Sequence, residues 1–235
     1  MNKGINYSGG FTLTDLLAII AVLSLLMLTA LAQPKSRVTQ TSCANNLRQV
    51  GQAIQMFADE NSDYLPPGAG RSDGLWTGQT RIYNTTATYS LVYYIATYMG
   101  EPAPKGMVMN EVKAFSCPAF ERETKFKSAT NLVVFGLNTP GIPDASGTKT
   151  NNVNFSPFGY PAGAGGGQTP HRIAEIPAQK PLAQVYSMID ADQWAYPTTA
   201  WFGDLPSKPV HGRNRNALYF DGHASPRAVG PTGTL

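Results

Sequence analysis

His211, Asp221 and His223 fall within one thirteen-residue stretch, HGRNRNALYFDGH, and Asp190 and Asp192 precede it in the chain. Two imidazoles and several carboxylates are a donor set that a divalent cation can accept, and calcium would favour the aspartates with backbone carbonyls. No calcium ligand loop accompanies them. The expectation is therefore no cofactor, with calcium the one candidate ion. The structural alternative is that His211 anchors a hairpin by hydrogen bonding, Asp221 shapes its turn and His223 faces solvent. Cys43 and Cys117 are the only thiols. In an exported domain such a pair closes as a disulfide, and two buried free thiols are the alternative. No further cysteine, and no histidine at finger spacing, supports a zinc site. A last group of interest is Asp15, the sole charge in the run from Gly10 to Gln33. A carboxylate in so apolar a segment is disfavoured by desolvation and persists where a partner neutralises it.

The elements that must position these groups are legible in the hydrophobic pattern. Leu13 to Ala32 supplies about twenty mostly apolar residues, enough to cross the hydrocarbon core of a bilayer as a helix. Pro34 then removes one helical hydrogen bond, which predicts a kink without a stop. Beyond it Leu47, Val50, Ile54 and Phe57 recur at three- and four-residue spacing, the pattern of an amphipathic helix ending near Asn61. A helix continuous from Leu13 to Glu60 would be about 70 Å long. Gly68 to Thr85 and Gly141 to Pro170 read as surface loops, the second of low complexity. Tyr89 to Met99 reads as a short helix capped by Gly100. Asn131 to Leu137 and Ala183 to Ile189 are strand candidates. Asn216 to Phe220 and His223 to Val229 form a hairpin about Asp221-Gly222, where the turn needs positive backbone angles.

Composition excludes several functions. A formal charge of +3 in 235 residues is too weak a basic excess to suggest nucleic acid. With 14% charged residues, 23 glycines and 18 prolines, the chain reads as one loop-rich α+β domain behind an apolar segment. No nucleophile elbow, phosphate-binding glycine loop or His-Glu-x-x-His motif is present, so an enzyme is not expected.

Four segments carry a family likeness. GFTLTD, Gly10 to Asp15, followed by the apolar run, resembles the processing signal of type IV pilins and type II secretion pseudopilins. SCANNLRQVGQAIQMFADENSDYLPP, Ser42 to Pro67, the Cys117-Pro118 element and the H-x9-DG spacing of His211, Asp221 and Gly222 resemble one pseudopilin subgroup. The likeness implies a pilin-like α+β fold, with a long N-terminal helix on a small antiparallel sheet bearing long loops. It implies a leader over 1–10, a membrane or filament-core half-helix over 11–33, and a periplasmic or surface-exposed domain over 34–235. A prepilin peptidase would cut after Gly10 and methylate the amine of Phe11. Asp15 would pair with the terminal amine of a neighbouring subunit, although the family usually has the longer glutamate there. The implied partners are other pseudopilin subunits, the peptidase, an inner-membrane assembly platform and lipid. The likeness, not the charge bias, places the leader in the cytoplasm.

Three other readings compete. Ala30-Leu31-Ala32 has the form of a signal peptidase site, but the apolar run is longer than a usual signal core and carries a carboxylate. A plain membrane anchor is the second. The third is an exported or anchored binding protein that does not polymerise, with Trp194, Tyr196, Trp201 and Phe202 as a sugar-stacking surface.

Overall fold

The computed structural model describes residues 12–31, 34–124, 132–138, 155–162 and 167–230, without the side chains of 25–31 and 34–36. Gly10 and Phe11 lie outside the described residues. The chain divides into two compact units, Met1–Val38 and Thr39–Leu235.

The first unit contains α1, Leu13–Leu31. Helix α2, Pro34–Glu60, begins there and continues in the second unit. The single rod expected from the periodicity is thus described as two helices, residues 32 and 33 lying outside the description. Pro34 is the first described residue of α2.

The second unit is α+β. Five strands form one antiparallel sheet in the order β1 (Gly78–Thr80), β4 (Val133–Leu137), β5 (Tyr186–Asp190), β6 (Asn214–Tyr219) and β7 (Ala224–Ala228). A second, two-stranded sheet pairs β2 (Ile82–Tyr83) with β3 (Asn110–Glu111). Strands β4 and β5 are buried along their whole length, which explains why VVFGL is continuously apolar rather than alternating.

The apolar stripe of α2 is buried as its spacing predicts: Leu47, Val50, Ile54 and Phe57 are all within the core. Each such side chain contributes about 1.5–3 kcal/mol on leaving water. Polar residues flanking the stripe tie the helix to the last hairpin. Arg48 donates to the Ala224 carbonyl at 3.0 Å and Gln55 to that of Phe220 at 2.9 Å. Beyond Glu60 the chain turns through Ser62 and Asp63, both at positive φ, and Asp63 accepts the Ile173 and Ala174 N–H groups.

Two expected loops are partly core. Within 68–85, β1 forms the sheet edge, Leu75 and Tyr83 are fully buried, and Gln79 accepts the Leu91 N–H to cap α3 (Leu91–Ile95). Within 141–170, Phe158 is fully buried against Phe220, although 141–154 and 163–166 lie outside the description. Polar composition concealed both, because isolated apolar anchors in Gly-rich sequence carry no periodicity. The helix expected over Tyr89 to Met99 is α3 plus a 3-10 turn, ended by left-handed Gly100 at φ 80°.

Candidate functional site

Two regions hold the residues singled out by the sequence. The first is the start of α1. Thr12 precedes the helix, and its N–H and hydroxyl both donate to Asp15 Oδ2, at 3.0 and 2.7 Å. The Asp15 N–H returns toward the Thr12 hydroxyl at 3.3 Å. This is a reciprocal capping box with aspartate at its third helical position, so Asp15 has a local role that the sequence reading missed. The Thr-x-x-Asp spacing was its signal. The rest of the described surface is apolar and exposed: Leu13, Leu16, Leu17, Ile19, Ile20, Val22 and Leu23 each show more than two-fifths of their area. Ser24 satisfies its own hydroxyl by donating to the Ile20 carbonyl at 2.6 Å. Among the described residues no helix is long and apolar enough to cross a membrane.

The second region lies beneath the last hairpin. Cys43 of α2 and Cys117, the residue before α4 (Pro118–Glu123), form a disulfide with Cα atoms 4.8 Å apart. By the chain-entropy argument a loop of this size is worth about 4 kcal/mol. His211 Nε2 lies 3.4 Å from Cys117 Sγ and 3.6 Å from Asp190 Oδ2, with both side chains almost fully buried. Asp190 Oδ2 also accepts the Asn216 N–H at 2.7 Å, while Oδ1 finds no partner among the described residues. Burial, reinforced by the Asp192 charge, pushes the Asp190 carboxyl up to about 7 despite the Asn216 N–H and Arg215. Burial and then the Arg122 cation push His211 down to about 4, so its imidazole is neutral at pH 7.

The five residues considered for a cation separate into three places. His211 and Asp190 form the inner pair just described. Asp192 is taken by Arg215 and also accepts the Trp194 and Ala195 N–H groups, at 2.9 and 3.0 Å. Asp221 and His223 are outside, where Asp221 Oδ1 accepts from the His223 N–H and lies 2.5 Å from its Nδ1. The His223 ring stacks on Tyr219 with centroids 4.3 Å apart. The turn is also not the two-residue form expected. Gly222 alone has positive φ, at 86°, its N–H bonds the Tyr219 carbonyl, and Tyr219 N–H bonds the His223 carbonyl. That is a three-residue loop with glycine in the left-handed position.

The sequence reading missed Arg215 and Asn216, which lie inside the H-x9-DG stretch and hold Asp192 and Asp190 respectively. Their signal was polar residues in β6 next to two aspartates at the end of β5. Of the aromatic group, Tyr196 is core and packs against Trp201, whereas Trp194 and Phe202 are exposed. Trp201 instead joins Trp76, Tyr160 and Thr199 around a cavity of about 550 Å³. No family model, curated protein or solved structure matches the chain.

Proposed function

We propose that the protein is a pseudopilin-like structural subunit, processed after Gly10 and assembled through its N-terminal helix into a filament of the type II secretion or type IV pilus kind. The observation that carries this reading is α1, whose described side chains beyond the capping box, Thr14 and Ser24 apart, are apolar and exposed around the helix. A helix apolar on all sides is covered in the working state, by lipid or by like helices. Ser24, bonded to its own backbone, needs no water there. Continuity of α1 with α2 would make the long rod of such subunits, with the buried stripe of α2 fixing the globular unit to it. In the filament a sister chain's Phe11 amine would meet the Asp15 carboxylate, since a cation and a carboxylate leaving water together offset each other's desolvation. The expected place is the inner membrane, with the globular unit in the periplasm or at the cell surface.

The capping box makes the test specific. Asp15→Ala removes both the cap and the charge, whereas Thr12→Ala removes only the hydroxyl contacts. Differently tagged copies, extracted from membranes, are expected to co-purify for wild type and Thr12→Ala and to separate for Asp15→Ala. Equal co-purification by Asp15→Ala, or none by wild type, would count against assembly. The second reading, a monomeric binding protein, is favoured by the cavity between Trp76, Tyr160 and Trp201, whose aromatic faces and threonine hydroxyls suit a sugar ring.

A further inference from the structure

Cys43, Cys117 and His211 each offer one ligand atom, and these atoms all lie within 4.8 Å of one another. Among the described residues no other three His, Cys, Asp or Glu side chains gather in this way. They arrive from α2, from the start of α4 and from the segment entering β6, so sequence spacing gives no hint of the cluster. Asp190 supplies a fourth donor. Among the described residues no cation pairs with this buried carboxyl, because Arg215 bonds Asp192, and Asp190 Oδ1 has no hydrogen-bond partner there.

The distances fit a particular coordination. Adjacent corners of a tetrahedron about zinc, with ordinary bonds to sulfur, nitrogen and oxygen, stand about 3.3–3.8 Å apart. The Cys117 to His211 separation is 3.4 Å and the His211 to Asp190 separation is 3.6 Å. Two changes remain: the two sulfurs must part, and Asp190, which stands beside His211 but outside the 4.8 Å group, must close on them. We propose that, with the disulfide open, Cys43, Cys117, His211 and Asp190 form a binding site for zinc or a similarly borderline-soft divalent cation. Two thiolates, an imidazole and a carboxylate suit zinc and not calcium. Cys43, Cys117 and the His211 side chain are at most 2% exposed, which matches a closed structural site rather than one with a coordination position left for water. Outer contacts are in place too: Asn216 N–H orients Asp190 at 2.7 Å, and Asn216 Nδ2 donates to the Gln40 carbonyl at 3.3 Å.

Disulfide and metal are alternative states of one cluster. A dithiol reductant delivers two electrons and two protons to the sulfurs and itself becomes a disulfide. Each thiol then releases its proton as the thiolates close on the cation. A disulfide-bearing oxidant reverses this by taking two electrons from the thiolates, reforming the Cys43–Cys117 bond and releasing the metal. This site is independent of the filament reading.

The full chain, reduced anaerobically with a phosphine, is titrated with cobalt as a spectroscopic probe and then with zinc. One cobalt per chain is expected, with thiolate charge-transfer bands and the intense visible bands of tetrahedral geometry, displaced by zinc and absent from the oxidised chain. His211→Ala should weaken zinc binding by more than about 100-fold, beyond what losing an outer-shell partner costs, and Asp190→Asn by about 10-fold or more. A reduced chain that stays folded by near-ultraviolet circular dichroism but gives no tetrahedral spectrum overturns the proposal. Equal binding by the oxidised chain, or by His211→Ala, does the same. If reduction unfolds the chain, recovery of the dichroism on adding zinc supports the site and failure to recover overturns it. Should His211→Ala not fold when oxidised, Asp190→Asn carries the comparison.

Discussion

Arg215 donates to both carboxylate oxygens of Asp192, from Nε at 2.5 Å and Nη2 at 2.8 Å, and each side chain is only 1% exposed. The pair fastens β6 to the turn after β5, because Asp192 Oδ1 also receives the Trp194 and Ala195 N–H groups. Removing one member leaves the other charge buried without this counter-ion, at a cost of about 3–5 kcal/mol, far more than the intact pair contributes over an apolar replacement. Arg215→Met and Asp192→Ala should each lower the urea midpoint accordingly. The double variant should fall well short of the sum of the two. Additive losses would show that the two side chains act separately.

Asp190 and His211 should oppose one another in the pH dependence of stability when the disulfide is closed. Asp190 faces His211, Asp192, Arg215 and the Asn216 N–H, and its folded value of about 7 lies above its ordinary 3.8. The stability it adds is full below pH 3.8 and is lost as pH rises toward 7. His211 faces Asp190, Cys117 and the Arg122 charge, and its folded value of about 4 lies below its ordinary 6.5. Its contribution is full above pH 6.5 and is lost as pH falls toward 4. Between those limits the folded pair holds one proton on Asp190 and the unfolded pair one on His211, so the two slopes cancel. His211→Gln should therefore make stability fall as pH rises, and Asp190→Asn should make it rise, each by up to about 1.4 kcal/mol per pH unit. Urea denaturation across this range reads the sign directly. Slopes of the same sign in both variants would contradict the assignment.

What the sequence revealed follows from how far apart the determining residues lie. The stripe Leu47, Val50, Ile54 and Phe57 and the Asp221-Gly222 hairpin are local patterns, and both were legible. The hairpin's strands were placed within two residues, while its turn type was misread because Asp221, unlike Gly222, has no positive φ. Burial of His211 was not legible, since the cysteines and Asp190 that surround it come from elsewhere in the chain. Nor was the edge strand β1, whose Gly78 and Gln79 have little strand propensity and which is held by pairing with β4. The Thr12-x-x-Asp15 capping box is local too, since its two residues stand three apart in the sequence.

Gly136 and Tyr196 meet so closely that substitutions at the two positions should have opposite signs. A Cβ at Gly136 would overlap the Tyr196 hydroxyl and ring, and Tyr196 is fully buried. Gly136→Ala forces β4 away from that ring, so a loss of about 3 kcal/mol or more is expected, at the upper end of overpacking costs. Tyr196→Phe is the counterpart. The Tyr196 hydroxyl finds no hydrogen-bond partner among the described residues, and burial raises its pKa well above the ordinary value. Deleting an oxygen that has lost water without gaining a partner removes a desolvation penalty of about 1–3 kcal/mol, and the vacated volume lies against Gly136, where the fit is tight. Tyr196→Phe should raise the urea midpoint, and in that background Gly136→Ala should cost less than it does alone. A Phe variant less stable than wild type would mean that the hydroxyl is satisfied, and the tight approach to Gly136 would then have to be explained by a polar contact rather than by packing.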